Sequence, residues 1–247
     1  MDGLILIAFL TGAFLGGLVS GLFGFAMGIV VSSIWLHFIS PADNTVLIIG
    51  CTAVTQGYGI WKLRHALDWP RAAPFILGGA VGVPLGAALL AYSDPALVRA
   101  AVGLLLVGYS LYSLAKPVFK PVSAGFAVDT GIGVLNGLLG GLTGLVGIIL
   151  VIWCQMRGWS KDVTRATFQI VVLAIAIFAA ISLAATGSLT AEQGELYLMA
   201  LPLMLAGTWL GFRLYGRLDE AAFRKAILVF LLLSGTVLMV SSPFGLL

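Results

Sequence analysis

The sequence has 247 residues, of which 60% are hydrophobic and only 9% are charged. Because soluble domains carry about 25% charged residues, this composition excludes a soluble globular domain and predicts an all-α polytopic membrane protein. The formal net charge of +3 is small, and we expect it to reflect membrane topology rather than a nucleic-acid partner. Cys51 and Cys154 lie far apart in apolar segments, so we expect no metal site and no cofactor.

Breaks in hydrophobicity divide the chain into ten apolar segments, and a membrane-spanning helix needs about 20 apolar residues. Two pairs of segments, 3–39 and 122–156, are interrupted only by glycine-rich sequence. We therefore expect glycine-broken helices at these two places, which are short or re-entrant. The ten segments lie near residues 3–22, 24–39, 44–61, 72–91, 98–114, 122–140, 142–156, 164–186, 196–213 and 223–241.

Charged residues between the segments predict the topology. The first residues, Met1 to Gly3, contain no Lys or Arg ahead of the apolar run, so we expect a retained span rather than a signal peptide. Loops rich in Lys and Arg stay in the cytoplasm, and following the crossings then puts both termini outside. The loops predicted to be cytoplasmic are 62–71, 115–121, 157–163 and 214–222.

An internal repeat is visible in the same map. SGLFG at 20–24 is similar to NGLLG at 136–140, and a shifted register aligns Gly21 with Gly141. A second similar pair of segments contains Pro74, Leu77 and Gly79 in the first half and Pro202, Leu205 and Gly207 in the second. Each half holds about five segments, and an odd number inverts the second half in the membrane. The sequence therefore predicts two inverted repeats, residues 1–120 and 121–247.

The glycine-rich stretches at 20–28 and 137–147 lie at equivalent places in the two repeats. Inverted-repeat transporters hold their substrate near the bilayer midplane on discontinuous helices, and free N–H groups at a helix N-terminus favour an anion. The alternative is that these glycines only let helices pack closely, as GxxxG pairs do. The candidate substrate-binding residues in the two stretches are Gly21, Gly24, Gly28, Gly141, Thr143, Gly144 and Gly147.

Three polar residues add to the candidate binding site. Arg165 and Gln169 are four residues apart and share one helix face. The guanidinium of Arg165 offers a fork of donors to an anion, or the residue is a topological cation that snorkels to the interface. Gln56 lies inside segment 44–61, where it is either a second neutral donor or part of an ordinary interhelical hydrogen bond.

Asp129 is the one acidic residue placed deep in a predicted span. An intramembrane carboxylate is costly and is a functional candidate by default, so we consider Asp129 as a proton-coupling residue. The alternative is a protonated or paired structural acid.

The run GLTGLVGIILVIWCQMRGWSKDVTRATFQ (141–169), together with SGLFGFAMG (20–28), resembles the TauE/SafE sulfite-exporter family of bacterial membrane proteins. Phe25–Gly28 and Leu145–Ile148 stand where relatives often carry further glycines and a proline. The resemblance covers essentially the whole chain. It implies a secondary transporter, usually an exporter, of small sulfur-containing anions such as sulfite or organosulfonates, located in the bacterial inner membrane.

Two other functions share parts of this pattern. An anion channel of the same architecture, or an importer of a related anion, would also use broken helices. A membrane enzyme would need a cluster of His, Glu, Asp or Ser side chains at one depth, and the sequence contains no such cluster, so we expect no catalytic residues. The expected partners are therefore the lipid bilayer and a small sulfur oxyanion or sulfonate, while the pattern leaves the oligomeric state open.

Overall fold

The computed structural model describes residues 3–25, 27–90, 92, 95–115, 121–143, 146–185 and 190–241. Within these residues it consists of ten α-helices and one short 3₁₀ turn, with no strand. Each predicted apolar segment coincides with one helix, which confirms the all-α fold class. The helices are α1 (Gly3–Phe23), α2 (Met27–Trp35), α3 (Pro41–Lys62), α4 (Trp69–Leu90), α5 (Pro95–Ala115), α6 (Phe126–Thr143), α7 (Ile148–Met156), α8 (Lys161–Ala185), α9 (Ala191–Arg217) and α10 (Glu220–Ser241).

The lengths of the helices suit a membrane. Four stretches of the described chain are long and apolar enough to cross a bilayer, and they lie in α1, α4, α8 and α9. Large apolar side chains such as Leu4, Ile181 and Leu198 are more than 60% exposed, as expected where the solvent is lipid. By contrast, α2 and α7 have nine residues each, or about 14 Å at 1.5 Å per residue. These two half-length helices confirm the prediction of short helices next to the glycine breaks.

The chain forms two compact units, each built from two stretches of sequence. Unit 1 consists of Met1–Ala72 and Arg165–Arg217, and unit 2 of Ala73–Thr164 and Leu218–Leu247. Each unit therefore contains helices from both halves of the chain. The consecutive repeats 1–120 and 121–247 stay a prediction, because they are a different division of the sequence from these interleaved units.

In unit 1, α1 packs along α9 through small residues. A methyl group on Gly17 would overlap the carbonyl oxygen of Met204, and one on Gly21 would overlap that of Thr208. In the opposite direction, Gly207 and Gly211 of α9 lie directly against backbone atoms of α1. The two backbones approach this closely because the facing residues have no side chain, which is the usual way in which membrane helices gain packing contacts.

Unit 2 repeats this packing with α6 and α4. A methyl group on Gly133 would lie 2.7 Å from the carbonyl oxygen of Phe75, and one on Gly137 would lie 2.8 Å from that of Gly79. The two units pack in the same register. Each glycine of α1 corresponds to the glycine 116 residues later in α6, and each contacted residue of α9 corresponds to the residue 129 positions earlier in α4.

These two constant offsets show which residues of the two helix pairs are equivalent. An offset of 116 aligns SGLFG with NGLLG, and not Gly21 with Gly141. The offset of 129 differs by one residue from the sequence match of Gly79 with Gly207, because the packing sets Gly207 equivalent to Gly78. Helix packing, rather than the similarity of letters, therefore decides which residues are equivalent.

Unit 1 holds its short helix α2 through an aromatic pair. The rings of Phe9 and Trp35 stack with centroids 4.6 Å apart, and the indole N–H of Trp35 donates to the carbonyl oxygen of Phe9 at 3.0 Å. The N-terminus of α3 contacts α9 in the same unit, where the amide of Gln193 donates to the carboxylate of Asp43 at 2.7 Å. These contacts fix α2 and α3 around the break that follows α1.

Candidate functional site

The break between α1 and α2 in unit 1 is built on Gly24. This residue has φ +84°, and its N–H donates to the carbonyl oxygen of Ser20 at 2.7 Å, which is a left-handed cap at the end of a helix. A methyl group on Gly24 would also overlap the ring of Phe168. Glycine is therefore required here for two reasons, the backbone conformation and the approach of an aromatic ring.

Gln56 reaches this break from α3. Its amide nitrogen donates to the carbonyl oxygen of Gly24 at 2.6 Å, and this bond fixes the orientation of the amide because only the NH₂ group can donate. The other atom, Oε1, is buried and has no hydrogen-bond partner among the described residues. Gln56 thus holds the break in place and presents an acceptor.

Arg165 lies entirely inside unit 1, with no exposed surface. Its guanidinium donates to the carbonyl oxygens of Leu22 at 3.2 Å, Ser20 at 3.5 Å and Gly21. It also lies 3.9 Å and 4.0 Å from the ring centroids of Phe212 and Tyr215. The last carbonyls of a helix have no partner within it and favour a nearby cation. Arg165 therefore caps the end of α1, and it does not snorkel to the interface.

Gln169 follows Arg165 by one turn of α8 and is also fully buried. Its amide lies against Gly59 of α3, where a methyl group would overlap it. Neither Nε2 nor Oε1 of Gln169 has a hydrogen-bond partner within the described part of the chain. A buried polar group without a partner costs about 1–3 kcal/mol, so this amide is the feature of unit 1 that most strongly indicates a ligand.

Unit 1 therefore contains Gly21, Gly24, Gln56, Arg165 and Gln169 around one broken helix. Among the predicted glycines, Gly21 packs against Thr208 of α9 rather than facing open space. A sixth predicted residue, Gly28, lies in α2, where a methyl group would make only an ordinary contact at 3.7 Å with Ile48. The binding roles of Gly21, Gly24 and Gly28 stay predictions, and the polar side chains of this unit add groups that a ligand could bind.

The remaining predicted glycines belong to unit 2. Gly141 packs on α4, where a methyl group would lie 2.7 Å from the nitrogen of Ala87. Gly147 has φ +104° and is the residue from which α7 starts. Thr143 is the last residue of α6, but its side chain lies outside the part that the structure describes, as does the whole of Gly144.

Asn136 is a residue that the sequence interpretation missed. Its Oδ1 accepts hydrogen bonds from the N–H of Gly147 at 3.1 Å and of Leu150 at 3.4 Å, so it caps the N-terminus of α7 from α6. The side chain is 1% exposed, and Nδ2 has no partner among the described residues. The signal was available in NGLLG, where Asn136 stands at the position of Ser20 in SGLFG.

Asp129 is paired in unit 2. Its Oδ1 accepts from the indole N–H of Trp153 at 2.8 Å and lies 3.4 Å from the guanidinium of Arg157. Arg157 also donates to the carbonyl oxygen of Ala124 at 2.8 Å. These contacts tie α6 to α7, and the proton-coupling role of Asp129 stays a prediction. Within the described residues, no three His, Cys, Asp or Glu side chains are grouped as a metal site would need.

Most of the chain also matches a known protein family. Residues 8–238 match the family described as Sulfite exporter TauE/SafE. The chain belongs to this family. The TauE/SafE match spans both units and both glycine breaks, and together with the long apolar helices it supports a multi-pass membrane protein. TauE/SafE proteins are transporters and not enzymes.

A second likeness is shorter. Over an aligned region of 130 residues the chain is 38% identical to Oleosin S2-2 of Brassica napus. The aligned region is 51% of this chain and 66% of that protein. No solved structure matches the chain. The family assignment therefore depends on the TauE/SafE match, which spans nearly the full length.

Proposed function

We propose that this TauE/SafE protein is a secondary transporter that exports small sulfur-containing anions, such as sulfite or short organosulfonates, across the bacterial inner membrane. Family membership supports anion export as the class of activity. The observation that carries the proposal to particular residues is the buried amide of Gln169 in unit 1, which has no hydrogen-bond partner in the described part of the chain.

The chemistry of the site suits an oxyanion. The NH₂ group of Gln169 offers two donors, and the oxygens of a sulfite or sulfonate group are acceptors. The positive charge of Arg165, four residues earlier on the same helix, favours an anion over a neutral ligand, since charges interact more strongly inside a protein than in water. The hydrogen bonds of the guanidinium to the end of α1 hold the Arg165 side chain, and so its charge, in one position.

The broken helices support a transporter mechanism. Discontinuous helices at a central site are typical of transporters that work by alternating access, and α1 and α6 are each followed by a half-length helix. We expect saturable flux when the protein is reconstituted in liposomes. A conductance that does not saturate would instead indicate an anion channel, and net uptake into cells would indicate an importer.

The binding test uses the purified protein in detergent, titrated with sulfite, sulfate, thiosulfate and methanesulfonate. Wild-type protein should be stabilised against thermal unfolding by at least one sulfur anion. Gln169→Met, which keeps the size of the side chain and removes the amide, should have an unliganded melting temperature equal to or above that of wild type and lose at least about tenfold in affinity.

A matched control comes from unit 2. Gln155 of α7 also has a buried amide without a partner in the described residues, but it lies next to the last residue of that helix, at the end opposite to the glycine break. Gln155→Met should bind anions as wild type does. Equal affinities in wild type and Gln169→Met would remove Gln169 from the site, and wild-type protein that binds none of the four anions would overturn the proposed function.

A further inference from the structure

The N-terminus of α7 in unit 2 has an unusual cap. The acceptor is not a residue of the helix or of the turn before it, but Asn136, eleven residues before Gly147 on α6. Both hydrogen bonds of this cap are made by one atom, Oδ1. A glycine at φ +104°, Gly147, is the N-cap residue, and it has no side chain with which to cap the helix.

Among the described residues, several hydrogen-bond donors meet at this cap. The N–H groups of the first turn of a helix have no acceptor within it, and Asn136 takes only those of Gly147 and Leu150. The N–H groups of Ile148 and Ile149 belong to the same turn. The Nδ2 group of Asn136 adds two more donors, and it is buried without a partner among the described residues.

Donors of this kind select for negative charge. The first turn of a helix carries a partial positive charge, which favours anions. A buried NH₂ group requires an acceptor, since burying it without one costs stability. One oxyanion with two or more oxygens would satisfy both needs, with one oxygen on Nδ2 of Asn136 and another on the N–H groups of α7.

We propose that the N-terminus of α7 binds the oxygens of a sulfite or sulfonate group and that Asn136 is the residue that selects this anion. The inference rests on the proposed function and deepens it by naming, within unit 2 alone, a group of donors for the same class of anion. In this assignment Asn136 has two tasks. Its oxygen caps α7, and its nitrogen donates to the substrate.

The two tasks can be separated by one substitution. Asn136→Asp keeps the shape of the side chain and keeps an oxygen that caps α7, since Asp is as good a cap as Asn. It replaces the NH₂ donor by a negatively charged oxygen, which would repel an anion. If Asn136 is only a cap, Asn136→Asp should bind anions normally.

The experiment titrates purified wild type and variants with sodium sulfite, sodium sulfate and sodium methanesulfonate and measures the stabilisation against heat. Asn136→Asp protein that folds should lose at least about tenfold in anion affinity relative to wild type. Asn136→Ser places at this position the residue found at the equivalent Ser20 and also removes Nδ2, so it should lose affinity as well. It provides the test if Asn136→Asp does not fold.

Asn44→Asp is the control for the change of charge. Asn44 is also buried and lies near the N-terminus of a helix, in unit 1, and Asn44→Asp protein that folds should bind the three anions as wild type does. Wild-type affinity in a folded Asn136→Asp or Asn136→Ser variant would overturn the role of Asn136 while leaving the proposed function standing. If wild type itself binds none of the three anions, the proposed function fails, and this inference fails with it.

Discussion

The guanidinium of Arg165 donates to the carbonyl oxygen of Leu22 at 3.2 Å, across 143 residues of sequence. A cation on α8 therefore completes the last turn of α1. This contact joins the two stretches of chain that form unit 1, and it makes the stability of the broken helix depend on a residue in the other half of the sequence.

The first prediction concerns this contact. Arg165→Lys keeps the charge, but an ammonium group is a point charge that cannot reproduce the fork of a guanidinium. We expect the variant to lose about 1–3 kcal/mol of unfolding free energy, because at least one carbonyl of α1 loses its buried partner. Thermal unfolding in detergent measures the change. A melting temperature equal to that of wild type would mean that the cap of α1 does not need the fork.

The second prediction separates two glycines of the same break. Gly24→Ala introduces a side chain at φ +84° and against the ring of Phe168, and the backbone conformation alone costs about 1–3 kcal/mol. Gly28→Ala adds a methyl group that makes only an ordinary contact with Ile48. We therefore expect a clear fall in melting temperature for Gly24→Ala and little change for Gly28→Ala. Equal melting temperatures in the two variants would contradict the left-handed cap.

The third prediction uses the contact between Gly59 and the amide of Gln169. A methyl group on Gly59 would occupy the position of this amide, which lies at the end of a flexible side chain and can move away. Gly59→Ala should therefore fold and lose anion-induced stabilisation.

The control for this substitution is two residues earlier on α3. Gly57→Ala adds a methyl group with nothing within 4 Å, and it should bind anions as wild type does. Replacing glycine by alanine should slightly stabilise α3 in both variants. A difference in anion affinity between the two variants would therefore come from the contact of residue 59 with Gln169. Normal binding by Gly59→Ala would show that the substrate does not use this amide.

The fourth prediction concerns topology. We expect the loops 62–71 and 157–163 to face the cytoplasm, so cysteines placed at Arg64 or Ser160 should resist an impermeant thiol reagent added to intact cells. The background requires the removal of Cys51 and Cys154, both of which are buried. The same positions should react after the cells are opened. Ready labelling of Ser160→Cys in intact cells would contradict the inverted repeat.

Local properties explain why so much of the fold was predictable. Each of the ten segments was recognisable because a helix in a bilayer needs a continuous apolar run, and such a run is a property of neighbouring residues. The half-length helices α2 and α7 were predictable for a similar reason, since glycine-rich sequence without charge marks a break in a helix.

The roles of individual glycines could not be predicted in this way. Gly21 and Gly24 look alike in SGLFG, but Gly21 packs on Thr208 and Gly24 turns the backbone beneath Phe168. The neighbours that distinguish them lie more than 140 residues away in sequence. Spacing alone left packing and binding as equal alternatives, because it contains no information about which helix faces which.

The sequence by itself determined the class of protein, the number of helices and the place of the two breaks, because these depend on hydrophobicity and backbone preference along the chain. Only the tertiary structure decided that α1 packs against α9, that Arg165 caps the end of α1, and that Asn136 caps the start of α7. A buried donor or acceptor is identified by what surrounds it in space, and those surroundings exist only when distant segments have packed together.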